Sequence, residues 1–182
     1  MQSLSEEDRR KILELARQSL REAVNRQMAV VSIPTEGVFG QACGVFVSLH
    51  VRGKLRGCIG MVEPSEPLGK AIAQCTASAA LHDPRFAPMR GEEVESAEIE
   101  VSVLSPLQAM RPEEIEIGEH GLLIEQGRHR GLLLPQVATE HRLDREKFLE
   151  ETCRKAGLPR DAWKSKETTI YGFTCEIVGK AG

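Results

Sequence analysis

The stretch CGVFVSLHVRGKLRGCIG, residues 43–60, reads as two β-strands joined by a tight turn. In its first half Cys43, Val45, Val47, Leu49 and Val51 fall on one side, and Phe46, Ser48 and His50 on the other. That alternation is the pattern of a strand with one buried face. Arg52-Gly53-Lys54 has hairpin-turn chemistry. The return strand carries Leu55-Arg56-Gly57-Cys58-Ile59-Gly60. Side chains two apart on a strand share a face, so Arg56 and Cys58 are expected to project together. Gly57 and Gly60 permit close approach by backbone or ligand, a bulge, or a positive φ. A guanidinium beside a thiol makes the sulfur a better nucleophile. The pair marks a site without naming a reaction.

Outward from this hairpin, helices and strands alternate along the chain. Before it, Ser5 reads as an N-cap, and Ile12, Leu15, Ala16 and Leu20 mark one face of a helix running to about Gln27. After it, a helix is expected over residues 66–81, with Leu68, Ile72, Cys75 and Ala79 on one face. Pro84 then disfavours helix and holds Asp83 extended. Residues 97–105 alternate as a strand, and Pro106 and Pro112 frame a break. Leu122-Leu123-Ile124 and Leu132-Leu133-Leu134 flank a polar turn and predict a second hairpin. Short helices are expected at 135–141 and from Asp144 to a stop at Gly157. Residues 169–178 close the pattern as a strand. Hairpins separated from helices predict an α+β fold, a mostly antiparallel sheet flanked by helices. The expected division is a main lobe of residues 1–105 plus 143–182 and a smaller lobe of 106–142.

Composition excludes several classes. At 182 residues the chain can form one substantial core, and with 28% charged residues it is an ordinary globular sequence. A formal charge of −3 provides no overall attraction for nucleic acid or an anionic membrane. No apolar run is long enough to span a bilayer, and the acidic N-terminus has no signal-like apolar core. The five cysteines, odd in number and without a C-x-x-C pair, read as reduced thiols of a cytoplasmic protein. No metal-ligand spacing, phosphate loop or serine-hydrolase elbow is present, and nothing points to a cofactor.

Among chemistry-bearing residues, Cys58 is the candidate nucleophile, with His82 or His120 as its base. The alternative is a small buried side chain in a glycine-rich strand. Arg56 and Arg85 are candidate anchors for an anionic ligand, a small molecule or a macromolecular substrate. Alternatively, Arg85 pairs with Asp83 and Arg56 with Glu100 as structural ion pairs. His82 and Asp83 stand at a helix end, where a histidine can simply cap carbonyls.

The hexapeptide at 55–60 closely resembles the signature of the AMMECR-domain family. Five further pieces follow in the family's order: Asp83-Pro84-Arg85-Phe86, Val101-Ser102-Val103-Leu104, Gly118-Glu119-His120-Gly121, Leu134-Pro135-Gln136-Val137-Ala138 and Tyr171. The resemblance spans residues 10–178. It implies a two-lobed structure whose signature lines a groove between lobes; Arg56, Gly57, Gly60, Asp83 and Arg85 are the residues expected toward a ligand there. Prokaryotic members are called the A component of the AmmeMemoRadiSam system. That association implies a Memo-like, dioxygenase-related protein and a radical SAM protein as partners, in a modification or small-molecule pathway. Gln136 stands where some members carry Glu, which counts against a carboxylate role there. Two functions stay open: an enzyme or enzyme component using Cys58, and a binding module in which Cys58 merely packs.

Overall fold

The structure, a computed structural model, describes residues 3–25, 32–63 and 66–179. In chain order the elements are α1 (Glu6–Asn25), β1 (Val45–Val51), β2 (Lys54–Met61), α2 (Leu68–Leu81), α3 (Gly91–Val94), β3 (Glu98–Leu104), β4 (Gln108–Ala109), β5 (Gly121–Gln126), β6 (His129–Leu133), α4 (Pro135–Glu140), α5 (Arg145–Lys155), β7 (Thr169–Phe173) and β8 (Cys175–Gly179). The fold is α+β, with two four-stranded sheets ordered β2-β1-β3-β8 and β4-β7-β5-β6. Among the described residues no helix is long and apolar enough to cross a membrane.

The chain divides into two compact units, Met1–Leu104 with Glu176–Gly182, and Ser105–Cys175. In the first, Ser5 caps α1 reciprocally: its hydroxyl accepts from the Asp8 N–H at 3.1 Å, and the Asp8 carboxylate accepts from the Ser5 N–H at 3.2 Å. The expected extension of this helix to Gln27 lies outside the described residues. The stripe Ile12, Leu15, Ala16 and Leu20 is buried, and α1 packs on α2. The small residues Ala71, Cys75, Ala79 and Ala80 of α2 are buried in the same core. Val45, Val47, Leu49, Val101 and Val103 carry that core on one face of the sheet. The β1–β2 connection is tighter than the three-residue turn expected. Arg52 and Gly53, at φ 53° and 73°, form a two-residue loop between paired Val51 and Lys54.

The second unit departs from the expected lobe of 106–142. Helix α5 packs on β5 and β6 and buries Phe148, Leu149 and Cys153 with Leu122 and Ile124. Strand β7 pairs antiparallel with both β5 and β4. Both contacts hold 143–175 to this unit, and only β8 returns to the first sheet. Asp144 caps α5 by accepting from the Lys147 N–H at 2.9 Å, and Gly157 (φ 74°) ends it, as its sequence predicts.

Candidate functional site

A β-bulge decides where Cys58 points. Along β1 and β2, Val51 pairs with Lys54, His50 with Leu55, and then Leu49 with Gly57. Arg56 is therefore the extra residue, without a cross-strand partner. Continued without it, the register would set Cys58 opposite Val47, on the face packed against α2. With it, Gly57 takes the core face and Cys58 lies opposite Ser48 on the other. Cys58 and Ser48 are both half-buried, and the Ser48 hydroxyl donates to the Cys58 sulfur at 3.1 Å.

The backbone of Cys58 is held from the open side. Strand β2 is at the edge of its sheet, and the Cys58 N–H donates to Asp83 Oδ2 at 2.9 Å. Arg85 Nη2 reaches the Cys58 carbonyl oxygen at 3.4 Å. Asp83 also accepts from the Arg85 N–H (3.1 Å), Nε (3.0 Å) and Nη2 (2.7 Å). The Asp83–Arg85 fork thus occupies one donor–acceptor pair of an edge strand, where an exposed ladder invites foreign pairing. The hydrogen bond from Arg85, joined by the backbone N–H groups of Cys58 and Arg85, holds the Asp83 carboxyl far below the usual carboxylate range, against the opposing effect of burial. The two partners differ in setting: the Asp83 side chain is 1% exposed and that of Arg85 is 56%. Arg85 also stacks over the Phe86 ring at 5.4 Å.

Arg56 does not share this site with Cys58, a correction to the expected pairing. Because it is the bulge residue, the period of two fails at its position. Its guanidinium runs to Glu93 (Nε–Oε1 2.8 Å, Nη2–Oε2 3.1 Å) and donates to the carbonyls of Ala87 (2.7 Å) and Pro88 (3.2 Å). The salt-bridge reading was right in kind, with Glu93 in place of Glu100. Four bonds on a side chain only 18% exposed make Arg56 a brace from β2 to α3 and the segment before it. Arg56→Ala is expected to cost about 2 kcal/mol in urea unfolding. It should leave the stabilisation conferred by sulfate or phosphate unchanged.

The glycines serve packing. A Cβ at Gly57 would overlap the Ala79 carbonyl of α2, and one at Gly60 would overlap the Phe46 ring and the Val45 carbonyl. The space expected for a ligand at these two positions is taken by the protein itself. His82 is the exposed C-cap residue of α2, its N–H donating to the Ser78 carbonyl. In the second unit His120 Nδ1 accepts from the Glu116 N–H at 3.0 Å and closes its own turn. The hydrogen bond to the Cys58 sulfur comes from Ser48, not from a histidine.

Ser48 is the group that sequence reasoning missed. Strand alternation places it on the polar side, but its partnership with Cys58 depends on the bulge. His50, two positions along the same face, has a buried Nδ1 with no hydrogen-bond partner among the described residues. Among those residues no three His, Cys, Asp or Glu side chains group as a metal-ligand set.

The AMMECR1 family model covers residues 13–178, and the chain belongs to that family. A protein of Methanothermobacter thermautotrophicus is 43% identical over 98% of this chain and 97% of its own length. A Pyrococcus furiosus relative is 42% identical over 91% of this chain and 85% of its own. The crystal structure of an uncharacterized protein from Pyrococcus horikoshii, 39% identical, superposes with a TM-score of 0.83 over 92% of this chain and 88% of that one.

Proposed function

We propose that this AMMECR1-family protein is an enzyme or enzyme component in which Cys58 is the reacting thiol. In this reading Arg85, not Arg56, is the cation presented to an anionic substrate. The observation that carries it is the setting of the sulfur. It lies half-buried on the sheet face away from α2, hydrogen-bonded by Ser48, on a backbone fixed by Asp83 and Arg85. Fixed geometry around a partly open nucleophile is what thiol chemistry needs. The family resemblance extends the reading to a modification or small-molecule pathway shared with Memo-like and radical SAM proteins.

Three buried cysteines, Cys43, Cys75 and Cys153, provide internal controls. Burial pushes the Cys75 thiol up to about 11 and raises those of Cys43 and Cys153. Iodoacetamide at neutral pH, read by peptide mass spectrometry, is expected to modify Cys58 in the folded protein while these three stay unmodified until denaturation. Ser48→Ala should change the Cys58 rate without changing theirs. Cys58 remaining inert until unfolding would overturn the reading.

A second reading has its own support. Arg56 is wholly engaged by Glu93 and two carbonyls, and Arg85 leans on Asp83. A binding module whose charges serve architecture needs no reactive thiol. It would show the unreactive outcome above together with capture of a Memo-like or radical SAM partner that survives Cys58→Ser.

A further inference from the structure

The second unit contains a cavity of about 550 Å³ unrelated to the cysteine site. Its apolar wall is Leu133 at the end of β6, Val137 of α4, and Leu143 in the connection to α5. All three are only partly buried and rest on the core beneath, so their outer surfaces are left to the cavity. The rim is built from the last turn of α5, Glu151, Arg154 and Lys155, together with His141. A volume in the range of small-ligand sites, an aliphatic wall and a few polar groups at one end are the attributes of a binding pocket.

The charges on the rim decide what the pocket would hold. Glu151 is already neutralised, by Arg154 Nη2 at 2.7 Å and Arg160 Nη2 at 3.2 Å. Arg160 also reaches Glu150 at 3.7 Å, so the two guanidiniums balance two carboxylates and the excess positive charge on the rim is that of Lys155. Lys155 is exposed and has no ionic partner among the described residues. An ammonium next to an aliphatic surface suits a ligand with one anionic head and one apolar tail.

We propose that this cavity binds an aliphatic carboxylate. Its chain lies on Leu133, Val137 and Leu143, and its head is held by Lys155. The assignment is independent of the chemistry at Cys58, because every lining residue lies within 133–155.

Octanoate, octan-1-ol and acetate, titrated into the full chain by calorimetry, separate the contributions of head and tail. Octanoate is expected to bind saturably at one site. Octanol, without the charge-assisted hydrogen bond, should be at least about 10-fold weaker, and acetate, without the buried methylenes, weaker by at least about as much. Methyl-labelled protein should show the Leu133, Val137 and Leu143 resonances moving on addition of octanoate. Lys155→Glu, a change on an exposed side chain that leaves the core untouched, should weaken octanoate by more than about 10-fold and leave octanol unchanged. Absence of octanoate binding, equal binding of octanol, unchanged affinity in Lys155→Glu, or methyl shifts confined to other residues would each overturn the proposal.

Discussion

Gly57→Ala is expected to destabilise the protein by about 3 kcal/mol or more, at the upper end of what one added methyl group does. The bulge at Arg56 turns position 57 toward α2, where a Cβ would overlap the carbonyl of Ala79. That obstacle is helix backbone, which cannot swing aside as a side chain can. Relief requires α2 to lift from β1 and β2, opening the contacts of Leu49, Ile72 and Cys75 in the core. Gly53→Ala is the matched control. Nothing stands within 4 Å of a Cβ there, and the cost is that of a left-handed backbone (φ 73°) alone, about 1 kcal/mol. Chemical denaturation of the two variants reads the difference. Equal midpoints would mean that the helix does not approach the strand this closely.

Asp83→Ala should be nearly as damaging, at about 3 kcal/mol, because it strands several donors at once. The Cys58 N–H, the Arg85 N–H and the Arg85 guanidinium all lose their acceptor. An edge strand stripped of its clamp is also expected to aggregate more readily, measurable by light scattering at equal concentration. The same carboxylate sets a pH dependence. Its folded value is depressed below the unfolded one of about 3.9, so its contribution is complete above that pH and lost as pH falls toward the folded value. Glu93, lowered by its hydrogen bond from Arg56, acts in the same direction. Unfolding midpoints of the wild type should therefore fall steeply below about pH 4. Asp83→Ala should show a shallower slope across that window; parallel slopes would remove Asp83 as the cause.

What the chain discloses in advance depends on the range of the interactions. Ser5 with Asp8, Asp144 with Lys147, and Gly157 act over a few residues, so the start of α1 and both ends of α5 are legible in the sequence. Strand alternation likewise reveals the core face of β1, because burial imposes a period of two. The bulge is different in kind. One additional residue in β2 is invisible to periodicity, yet it exchanges the faces of Gly57 and Cys58, parts Arg56 from the thiol and brings in Ser48. The partner of Arg56 is hidden for another reason: Glu93 lies 37 residues on, in a segment whose position only the folded chain fixes. The extent of the second unit is hidden in the same way. Pairing of β7 with β5 joins segments far apart in sequence, and no local signal distinguishes that from a return to the first sheet.

Strand β8 has a consequence for how the molecule is made. The first sheet needs it as a fourth member, and its Glu176 carboxylate accepts from the Leu4 N–H at 3.1 Å, near the start of α1. On the ribosome, α1 and three strands emerge early and must wait while the whole of 105–175 is translated. Until β8 emerges the flank of β3 is bare, and over that interval the nascent chain is most vulnerable to chaperone capture or proteolysis.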